Sequence, residues 1–291
     1  MATDSNQQPS IDRCRPGAAE LISRSFAYWA DKQLAPQGLW WWRPLSSAVV
    51  GVSTTAMGVL LSLGFKRVVV EDLHKLTDII EDPLRSRPVI TIANHESTLD
   101  DPIMWGVMPM RMRWNLITRA AVQNPVLNGF FALGQTIPTV RGDGIYQLAV
   151  EIGLRKLART NGCMFSRRHS KPERPHATLQ WGVGRLIMES ERTPVVIPMY
   201  FRGMKEVMPL RQKVPLPHPN PFKSELFLRV GDAVDFTAQI REWSLLTVEE
   251  RERLDERVRI EIVDQLWGTL DKLKAESAPE LANNIVNLGI S

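Results

Sequence analysis

The sequence predicts an α/β protein in which a central sheet, mostly parallel or mixed, is flanked by helices. Three short apolar runs, rich in β-branched residues and bounded by polar or turn residues, are typical of strands buried on both faces. These runs are RVVVE at 67–71, PVITIA at 88–93 and TPVVIPMY at 193–200. Between the second and third runs, residues 145–159 and 181–190 place apolar side chains at helical spacing. Strands and helices therefore alternate along the chain.

The composition indicates one globular domain with terminal extensions. The chain has 291 residues, of which 44% are hydrophobic and 23% charged, unlike a disordered or fibrous protein. Its cysteines, Cys14 and Cys163, are too few for a disulfide framework and lack metal-ligand spacing, so they indicate no zinc site. We predict that the protein uses neither a metal nor a cofactor. The net charge of +4 and the pI near 9.2 suit an anionic phospholipid surface. This charge is too small to predict a nucleic-acid partner.

The N-terminal part predicts an extension followed by a membrane-associated helix. The extension, 1–38, has neither the charged-then-apolar order of a secretory signal nor the acid-poor composition of a presequence. Region 39–66 contains a charge-free stretch at 45–65, long enough to cross a bilayer, and the cluster WWWR at 40–43 resembles an interfacial anchor. The alternatives are a membrane-embedded helix that does not span, a true span and a buried core helix. We expect the first.

The remaining chain divides into a main α/β domain at 67–245 and a C-terminal helical extension at 246–291. Within the domain, the proline-rich residues 209–221 predict a loop, and 225–236 predict a strand with a Gly-Asp turn. Thr247 and Glu250 form a capping-box pattern, which predicts a charged helix from there to about Lys274. The termini are therefore expected at the periphery of the domain.

The stretch TIANHESTLDDPIMW at 91–105 contains the residues best suited to chemistry. His95 follows a predicted strand, while Asp101 and Pro102 predict a helix start with an acceptor side chain at the N-cap and proline at the first helical position. In the turn between them His95 can meet Asp100, although five residues along a regular helix would leave the two about 140° apart. A carboxylate on one imidazole nitrogen leaves the other as a general base toward a hydroxyl. Alternatively, His95 satisfies backbone groups and the aspartates cap the helix.

Four segments in order resemble the sequence blocks of the glycerolipid acyltransferase superfamily. Segment 94–102 (NHESTLDDP) is similar to its HxxxxD signature, and the doubled Asp before Pro resembles the tafazzin branch. Segment 131–142 (FALGQTIPTVRG) is similar to the second block, and 181–187 (WGVGRLI) resembles a tafazzin segment that enters a helix. Segment 193–204 (TPVVIPMYFRGM) is similar to the fourth block and the Gly-Met that follows it in tafazzins. The resemblance covers roughly residues 40–245 and marks 67–245 as an acyltransferase domain.

The resemblance implies roles for individual residues. It implies that His95 and Asp100 form the catalytic dyad, that Arg141 holds the acceptor phosphate, and that Gly134, Ile137 and Pro198 contribute to the substrate site. A guanidinium beside a glycine suits bidentate phosphate recognition. Taken alone, Arg141 could instead be a surface cation, and Pro198 a strand residue that shapes the site without reacting.

The third family block, Phe-Pro-Glu-Gly at the end of a strand, is not matched. Phe165 aligns with its Phe, but Ser166, Arg167 and Arg168 stand where the block has Pro, Glu and Gly, and 166–180 is basic and proline-rich. If this segment is genuine, a cation replaces a carboxylate that is implied to contribute to acceptor binding. The alternative is a locally altered reading of the coding sequence.

The resemblance implies a phospholipid-lysophospholipid transacylase that remodels cardiolipin acyl chains without CoA. Its partners would be a phospholipid donor, a lysophospholipid acceptor and the membrane surface, and its location would be mitochondrial membranes on the side of the intermembrane space. One alternative is an acyl-CoA-dependent lysophospholipid acyltransferase, which shares the dyad and differs in the donor. The other is a catalytically impaired lipid-binding homologue, because the third block is lost.

Overall fold

A computed structural model gives the fold of the chain from the membrane-associated segment to the C-terminal helix. It describes residues 40–97, 100–108, 118–120, 129–130, 132–134, 136–138, 145–158, 162–168, 181–207 and 225–286. In chain order the strands are β1 (Arg67–Glu71), β2 (Val89–His95), β3 (Thr118–Ala120), β4 (Thr136–Pro138), β5 (Gly162–Arg168), β6 (Val195–Arg202), β7 (Glu225–Val230) and β8 (Val234–Asp235). The helices are α1 (Trp42–Gly64), α2 (His74–Glu81), α3 (Asp100–Val107), α4 (Leu148–Leu157), α5 (Trp181–Glu189), α6 (Met204–Val207), α7 (Thr237–Ser244) and α8 (Val248–Val286).

The main sheet is mixed, as the sequence predicts. Its strand order is β1-β7-β6-β2-β5, with β8 also paired to β6, and β3 and β4 form a separate parallel pair. Strand β2 lies parallel to both β5 and β6, and β1 lies parallel to β7. Among these described strands, the antiparallel pairs are those of β6 with β7 and of β6 with β8. The three strands β5, β2 and β6 therefore end at the same edge of the sheet.

Strand β2 is buried on both faces, as predicted for the run at 88–93. The same prediction is wrong for β1, which lies at the edge of the sheet, with Arg67 exposed and its other residues half-buried. Ile90 and Ile92 face a core cluster that includes residues of α4, α5 and α8, whereas Val89 and Ala93 face a second cluster that includes residues of α2 and α3. Successive side chains of a strand point to opposite faces, so one apolar run can serve two cores. The helices thus cover the sheet from both sides.

Strand boundaries differ from the predicted ones because pairing partners decide where a ladder starts. Strand β6 begins at Val195, whose N–H donates to the carbonyl of Pro88 at 2.9 Å, and β2 begins one residue later than predicted, at Val89. The predicted strand 225–236 divides into β7 and β8, which both pair with β6. Between them the N–H of Gly231 donates to the carbonyl of Pro198 at 2.8 Å.

Helix α1 corresponds to the predicted membrane-associated segment. Its 23 residues span about 34 Å at 1.5 Å per residue, and Pro44–Gly64 is long and apolar enough to cross a membrane. The helix is not a fully buried core helix, since one side packs against the domain and the other is exposed. On the packed side, a Cβ on Gly106 of α3 would lie 2.7 Å from Leu61 and 2.9 Å from Met57, so the glycine permits the close approach of α1 and α3.

Helix α8 begins with the predicted capping box. The Thr247 hydroxyl accepts from the Glu250 N–H at 3.3 Å, and the Glu250 carboxylate accepts from the Thr247 N–H at 3.0 Å. The helix continues to Val286, beyond the predicted end near Lys274, and Ser277, three residues past that end, is fully buried. Four of its apolar residues belong to the first core cluster: Ile262, Val263, Leu266 and Leu270. The predicted C-terminal extension therefore starts as part of the main core.

Candidate active site

The candidate site lies where β2 ends and α3 begins. His95 is the last residue of β2, and Asp100 is the first residue of α3. Because β2 runs parallel to β5 and β6, this turn lies at the edge where three strands present their carboxyl ends, a common position for binding sites in α/β folds. The sequence thus folds the HxxxxD stretch into a strand-to-helix turn, as predicted.

His95 and Asp100 are in direct contact. The His95 Nδ1 atom lies 2.8 Å from the Asp100 Oδ2 atom, and the Asp100 side chain is fully buried while that of His95 is 20% exposed. An ionised carboxylate is an acceptor only, so the contact places the proton on Nδ1. The Nε2 atom is left as the acceptor of a ring that solvent or a ligand can reach. A pair with this geometry can act as a general base with an orienting carboxylate.

The same Asp100 oxygen also organises the turn. It accepts hydrogen bonds from the backbone N–H groups of Glu96 at 2.7 Å and Ser97 at 2.9 Å. The predicted helix start, with Asp101 at the N-cap and Pro102 as the first helical residue, is two positions too late, because the N–H of Asp100 already donates to the carbonyl of Ser97 and the helix starts at Asp100. Pro102 is consequently the third helical residue. The Asp100 carboxylate therefore bonds both to the backbone of the turn and to the imidazole of His95, and is not only a helix-capping group.

Asn94 anchors the residue before the histidine. Its side-chain amide donates to the carbonyl of Phe201 at 2.8 Å, and its side-chain oxygen accepts from the N–H of Phe201 at 2.7 Å. The main-chain ladder between β2 and β6 ends at Ala93 and Met199, so the amide continues it with a side chain in place of a backbone. Asn94 thereby fixes where β2 leaves β6. It was not among the predicted site residues, although its place next to His95 could have suggested it.

Glu96 links the turn to the end of β6. Burial raises the pKa of its carboxyl group, and the charge of Asp100 raises it further, while hydrogen bonds from the backbone N–H groups of Lys205 and Gly203 oppose the shift. Gly203 has a φ of +100°, and a Cβ at this position would lie 1.9 Å from the carbonyl oxygen of Glu225. Only glycine fits here without strain. Burial also raises the pKa of the Tyr200 phenol, with Glu96 as the next cause.

Comparisons with known proteins agree with this geometry. Residues 67–202 match the family described as Acyltransferase. The protein named Taffazin of Dictyostelium discoideum is 35% identical over 196 residues, which cover 62% of this chain and 67% of that protein. The chain belongs to the tafazzin family of glycerolipid acyltransferases. Tafazzin of Drosophila melanogaster is 27% identical over 86% of this chain and 65% of its own length.

Two further similarities accompany the tafazzin-family match. The N-acylphosphatidylethanolamine synthase of Arabidopsis thaliana is 32% identical over 66% of this chain and 71% of its own length. The solved 1-acyl-sn-glycerophosphate acyltransferase of Thermotoga maritima is 17% identical with a TM-score of 0.43, over 85% of this chain and 95% of that one. The chain spans about two thirds of the length of the curated relatives it matches.

The predicted substrate-binding residues of this tafazzin-family chain occupy different places. Ile137 lies in β4, is fully buried and belongs to the core cluster shared with Ile90 and Ile92. Gly134 ends a short turn in which its N–H donates to the carbonyl of Phe130 at 2.9 Å. Pro198 is a buried residue of β6, level with Ile92 of β2. No hydrogen bond or ion pair in the described part of the chain joins these three to His95 or Asp100, and Arg141 lies outside the described residues.

The altered third block of the tafazzin-family chain lies next to the dyad in the sheet. Strand β5 pairs with β2 so that Ser166 is level with Ala93, Arg167 with Asn94 and Arg168 with His95. The strand includes all three substituted positions and ends at Arg168. The segment 169–180 lies outside the described residues. Among those described, no group of three His, Cys, Asp or Glu residues is arranged to hold a metal ion.

Proposed function

We propose that this tafazzin-family chain transfers a fatty-acyl group from a phospholipid to a lysophospholipid and remodels cardiolipin. The observation that carries the proposal is the His95-Asp100 pair, in which Nδ1 contacts a buried carboxylate and the His95 side chain is partly exposed. The family supports the acyl-transfer class, and the dyad supports the chemistry. The specific acceptor, monolysocardiolipin, and a location on mitochondrial membranes facing the intermembrane space come from the family resemblance.

In the proposed reaction, the Nε2 atom of His95 removes the proton from the free hydroxyl of the lysophospholipid. The hydroxyl oxygen attacks the ester carbonyl carbon of the donor, and a tetrahedral intermediate forms. The bond between this carbon and the donor's glycerol oxygen then breaks, and the leaving oxygen takes the proton back from Nε2. Asp100 stabilises the imidazolium that exists between the two proton transfers. An ester is exchanged for an ester, so neither CoA nor an energy source is consumed.

Substrate contacts in this proposal come from the second and fourth blocks. Arg141 binds the acceptor phosphate through its guanidinium, since a planar fork matches phosphate oxygens. Gly134, Ile137 and Pro198 shape the site without reacting. Their burial in and beside the sheet agrees with such a structural part.

We further propose that α1 lies in the membrane surface and brings the dyad to its substrates. Large apolar residues on the side of α1 away from the domain are exposed: Leu45, Val52, Val59 and Leu63. Side chains seven residues apart on a helix point within about 20° of the same direction, so Leu45, Val52 and Val59 form one stripe. The opposite side of α1 contacts the domain at two places. It packs closely against Gly106 of α3, the helix that begins with Asp100, and the hydroxyl of its Ser46 donates to the carbonyl of Leu133 in the second block at 2.5 Å. Failure of the protein to float with anionic liposomes would contradict this placement.

The test of the function is acyl exchange in CoA-free liposomes, from labelled phosphatidylcholine to monolysocardiolipin. Wild-type protein should transfer label, His95→Ala should abolish transfer, and His74→Ala should not, because His74 is an exposed histidine of α2 outside the site. Transfer that requires added acyl-CoA would indicate the CoA-dependent alternative. Liposome binding without transfer under either condition would indicate an impaired homologue.

A second candidate reaction is transfer to an amine. The Arabidopsis relative is named an N-acylphosphatidylethanolamine synthase, and its similarity to this chain is close to that of the tafazzins. The same dyad could remove a proton from a headgroup amine in place of a hydroxyl. Including phosphatidylethanolamine as acceptor distinguishes the two, because an amide product survives mild alkaline hydrolysis and an ester product does not.

A further inference from the structure

Asn94 joins the end of β2 to the end of β6 through its side chain, and the proposed reaction does not use it. Its side-chain nitrogen donates to the carbonyl of Phe201 at 2.8 Å, and the N–H of Phe201 donates to its side-chain oxygen at 2.7 Å. A side-chain amide has the planar donor and acceptor of a peptide unit. The Asn94 side chain therefore pairs with Phe201 as the backbone of a neighbouring strand would.

This bridge from Asn94 to Phe201 lies where β2 parts from β6 while it stays paired with β5. The register between β2 and β6 ends at Ala93 and Met199, whereas the register between β2 and β5 continues to His95 and Arg168. At the level of Asn94, main-chain pairing therefore holds β2 on the β5 side, and the side chain of Asn94 holds it on the β6 side. The Asn94 bridge extends the contact between β2 and β6 past their last backbone pair.

The β6 end of the Asn94 bridge is itself held in place. Phe201 is fully buried and also pairs with β7. Two residues further on, a Cβ on Gly203 would lie 1.9 Å from the carbonyl oxygen of Glu225, so the chain there packs directly against β7. The next residue, Met204, is fully buried in the second core cluster. Asn94 therefore bonds to a backbone that β7 and the core both fix.

An amide suits this position because both of its partners are backbone groups of a fully buried residue. A buried N–H or carbonyl that loses its hydrogen bond costs free energy. Asn94→Leu would leave the N–H and the carbonyl of Phe201 without these bonds. Asn94→Asp would keep an acceptor for the N–H but would set a carboxylate against the carbonyl. The side chain of Asn94 satisfies both groups at once.

His95 follows Asn94 directly, so the Asn94 bridge fixes the backbone from which the imidazole projects. The other member of the dyad is held separately, because two backbone N–H groups of the turn donate to the Asp100 carboxylate. A shift of the end of β2 would therefore change the distance from His95 Nδ1 to Asp100 Oδ2, which is 2.8 Å. We propose that Asn94 is a positioning residue, whose bridge to Phe201 holds His95 in the orientation in which it meets Asp100 and the substrate. This rests on the proposed function of His95.

The variants that test the bridge are Asn94→Leu, which removes both bonds and keeps much of the volume, and Asn94→Asp, which keeps the acceptor and loses the donor. The matched control is Arg87→Met. Arg87 joins the segments that enter the same two strands at the opposite edge of the sheet, where its Nε atom donates to the carbonyl of Thr193 at 2.8 Å and its Nη atoms donate to Asp235. Both changes remove a side-chain link between the segments of β2 and β6, but Arg87 is remote from the dyad.

The first measurement is hydrogen-deuterium exchange of the full-length protein on liposomes. Asn94→Leu should increase exchange in peptides covering 199–203, because the Phe201 N–H loses its acceptor. Asn94→Asp should increase it less, Arg87→Met should leave it unchanged, and peptides of β7 should keep wild-type exchange in both Asn94 variants. Unchanged exchange at 199–203 in Asn94→Leu would overturn the bridge. An equal increase across the whole domain would show a general loss of stability and would also overturn it.

The second measurement is acyl exchange at varied acceptor and donor concentrations. Because a displacement of about 1 Å can cost about a hundredfold in rate, kcat should fall roughly tenfold to a hundredfold in Asn94→Leu, with both half-saturation concentrations near their wild-type values. Asn94→Asp should also stay below the wild type, because the Phe201 carbonyl lacks its donor. Arg87→Met should keep the wild-type kcat even if its melting temperature falls.

A combination with Asp100→Asn tests whether Asn94 acts through the dyad. Both changes misplace the same imidazole, so adding Asn94→Leu to Asp100→Asn should cost much less than Asn94→Leu costs in the wild type. A wild-type kcat in either folded Asn94 variant, a loss confined to half-saturation, or fully additive losses would overturn the proposal. An inactive wild-type chain would refute the proposed function, and the hydrogen-deuterium exchange would still decide whether Asn94 holds the two strands together.

Discussion

The proposed contribution of the Asp100 carboxylate to catalysis can be estimated from its contact with His95. When Nε2 takes a proton, the imidazolium gains the attraction of a fully buried carboxylate whose Oδ2 lies 2.8 Å from Nδ1. With charge centres about 4 Å apart and an effective dielectric constant of about 20, this attraction is about 4 kcal/mol. Screening through the exposed part of His95 reduces it to about 3 kcal/mol. Asp100→Asn should therefore slow acyl exchange by at least about a hundredfold.

Asp100→Asn should also disturb the tautomer. The introduced amide can donate to Nδ1, which places the ring proton on Nε2 and removes the acceptor that the reaction needs. The assay is acyl exchange in CoA-free liposomes, with circular dichroism and thermal unfolding to confirm that the variant is folded. Asp264→Asn serves as the control, because Asp264 is an exposed residue of α8. A folded Asp100→Asn variant that keeps more than a third of wild-type activity would refute the dyad.

Two further predictions concern the turn that supports the dyad. Gly203→Ala should lower the free energy of unfolding by roughly 1–3 kcal/mol or more, because its backbone has a φ of +100° and the new Cβ would overlap the Glu225 carbonyl. The control is Gly268→Ala in the interior of α8, where a Cβ meets open space, and this variant should be neutral or stabilising. Equal melting temperatures for the two variants would contradict the strain argument. Glu96→Gln should remove a pH dependence of stability. The folded-state pKa of Glu96 lies above its ordinary value of 4.5, so the folded state binds the proton more tightly and wild-type stability falls as the pH rises through this window. The free energy of unfolding, measured with urea between pH 4.5 and 7, should fall with rising pH in the wild type and fall less in the variant. If the two free energies change with pH in parallel, Glu96 is not the source of the pH dependence.

The fold and the dyad were predictable because both depend on local pattern. The run at 88–93 alternates its side chains between two cores, so its burial and its strand character follow from composition alone. The turn after it has too few residues to separate His95 from Asp100, so their contact could be expected once the strand and helix were assigned. The predicted start of α3 was two residues too late, because the Asp100 N–H donates to the Ser97 carbonyl, a choice between neighbouring turns that sequence does not decide.

The supporting contacts could not be predicted, because they join residues far apart in sequence. Asn94 meets the backbone of Phe201, and Arg185 meets the carbonyl of Ile145. Every residue has a backbone carbonyl, so the type of residue that supplies the backbone partner gives no sign of the contact. The sequence therefore shows only the side-chain half of each contact. The strained Gly203 is similar, since the need for glycine arises from the Glu225 carbonyl on a neighbouring strand.

The altered third block raises the question of which parts of the family's site are needed for acyl transfer in this chain. Its residues Arg167 and Arg168 are level with Asn94 and His95 in the sheet, so the change lies beside the dyad and not at a distant edge. The dyad itself is held by groups outside that block: the Asp100 carboxylate, the N–H groups of Glu96 and Ser97, and the Asn94 bridge to β6. Its geometry therefore does not depend on a Pro-Glu-Gly sequence in β5. If the chain exchanges acyl groups, the family's carboxylate serves acceptor selection more than the chemical step, and changing Arg167 to Glu should then alter the acceptor preference while leaving the dependence on His95 intact.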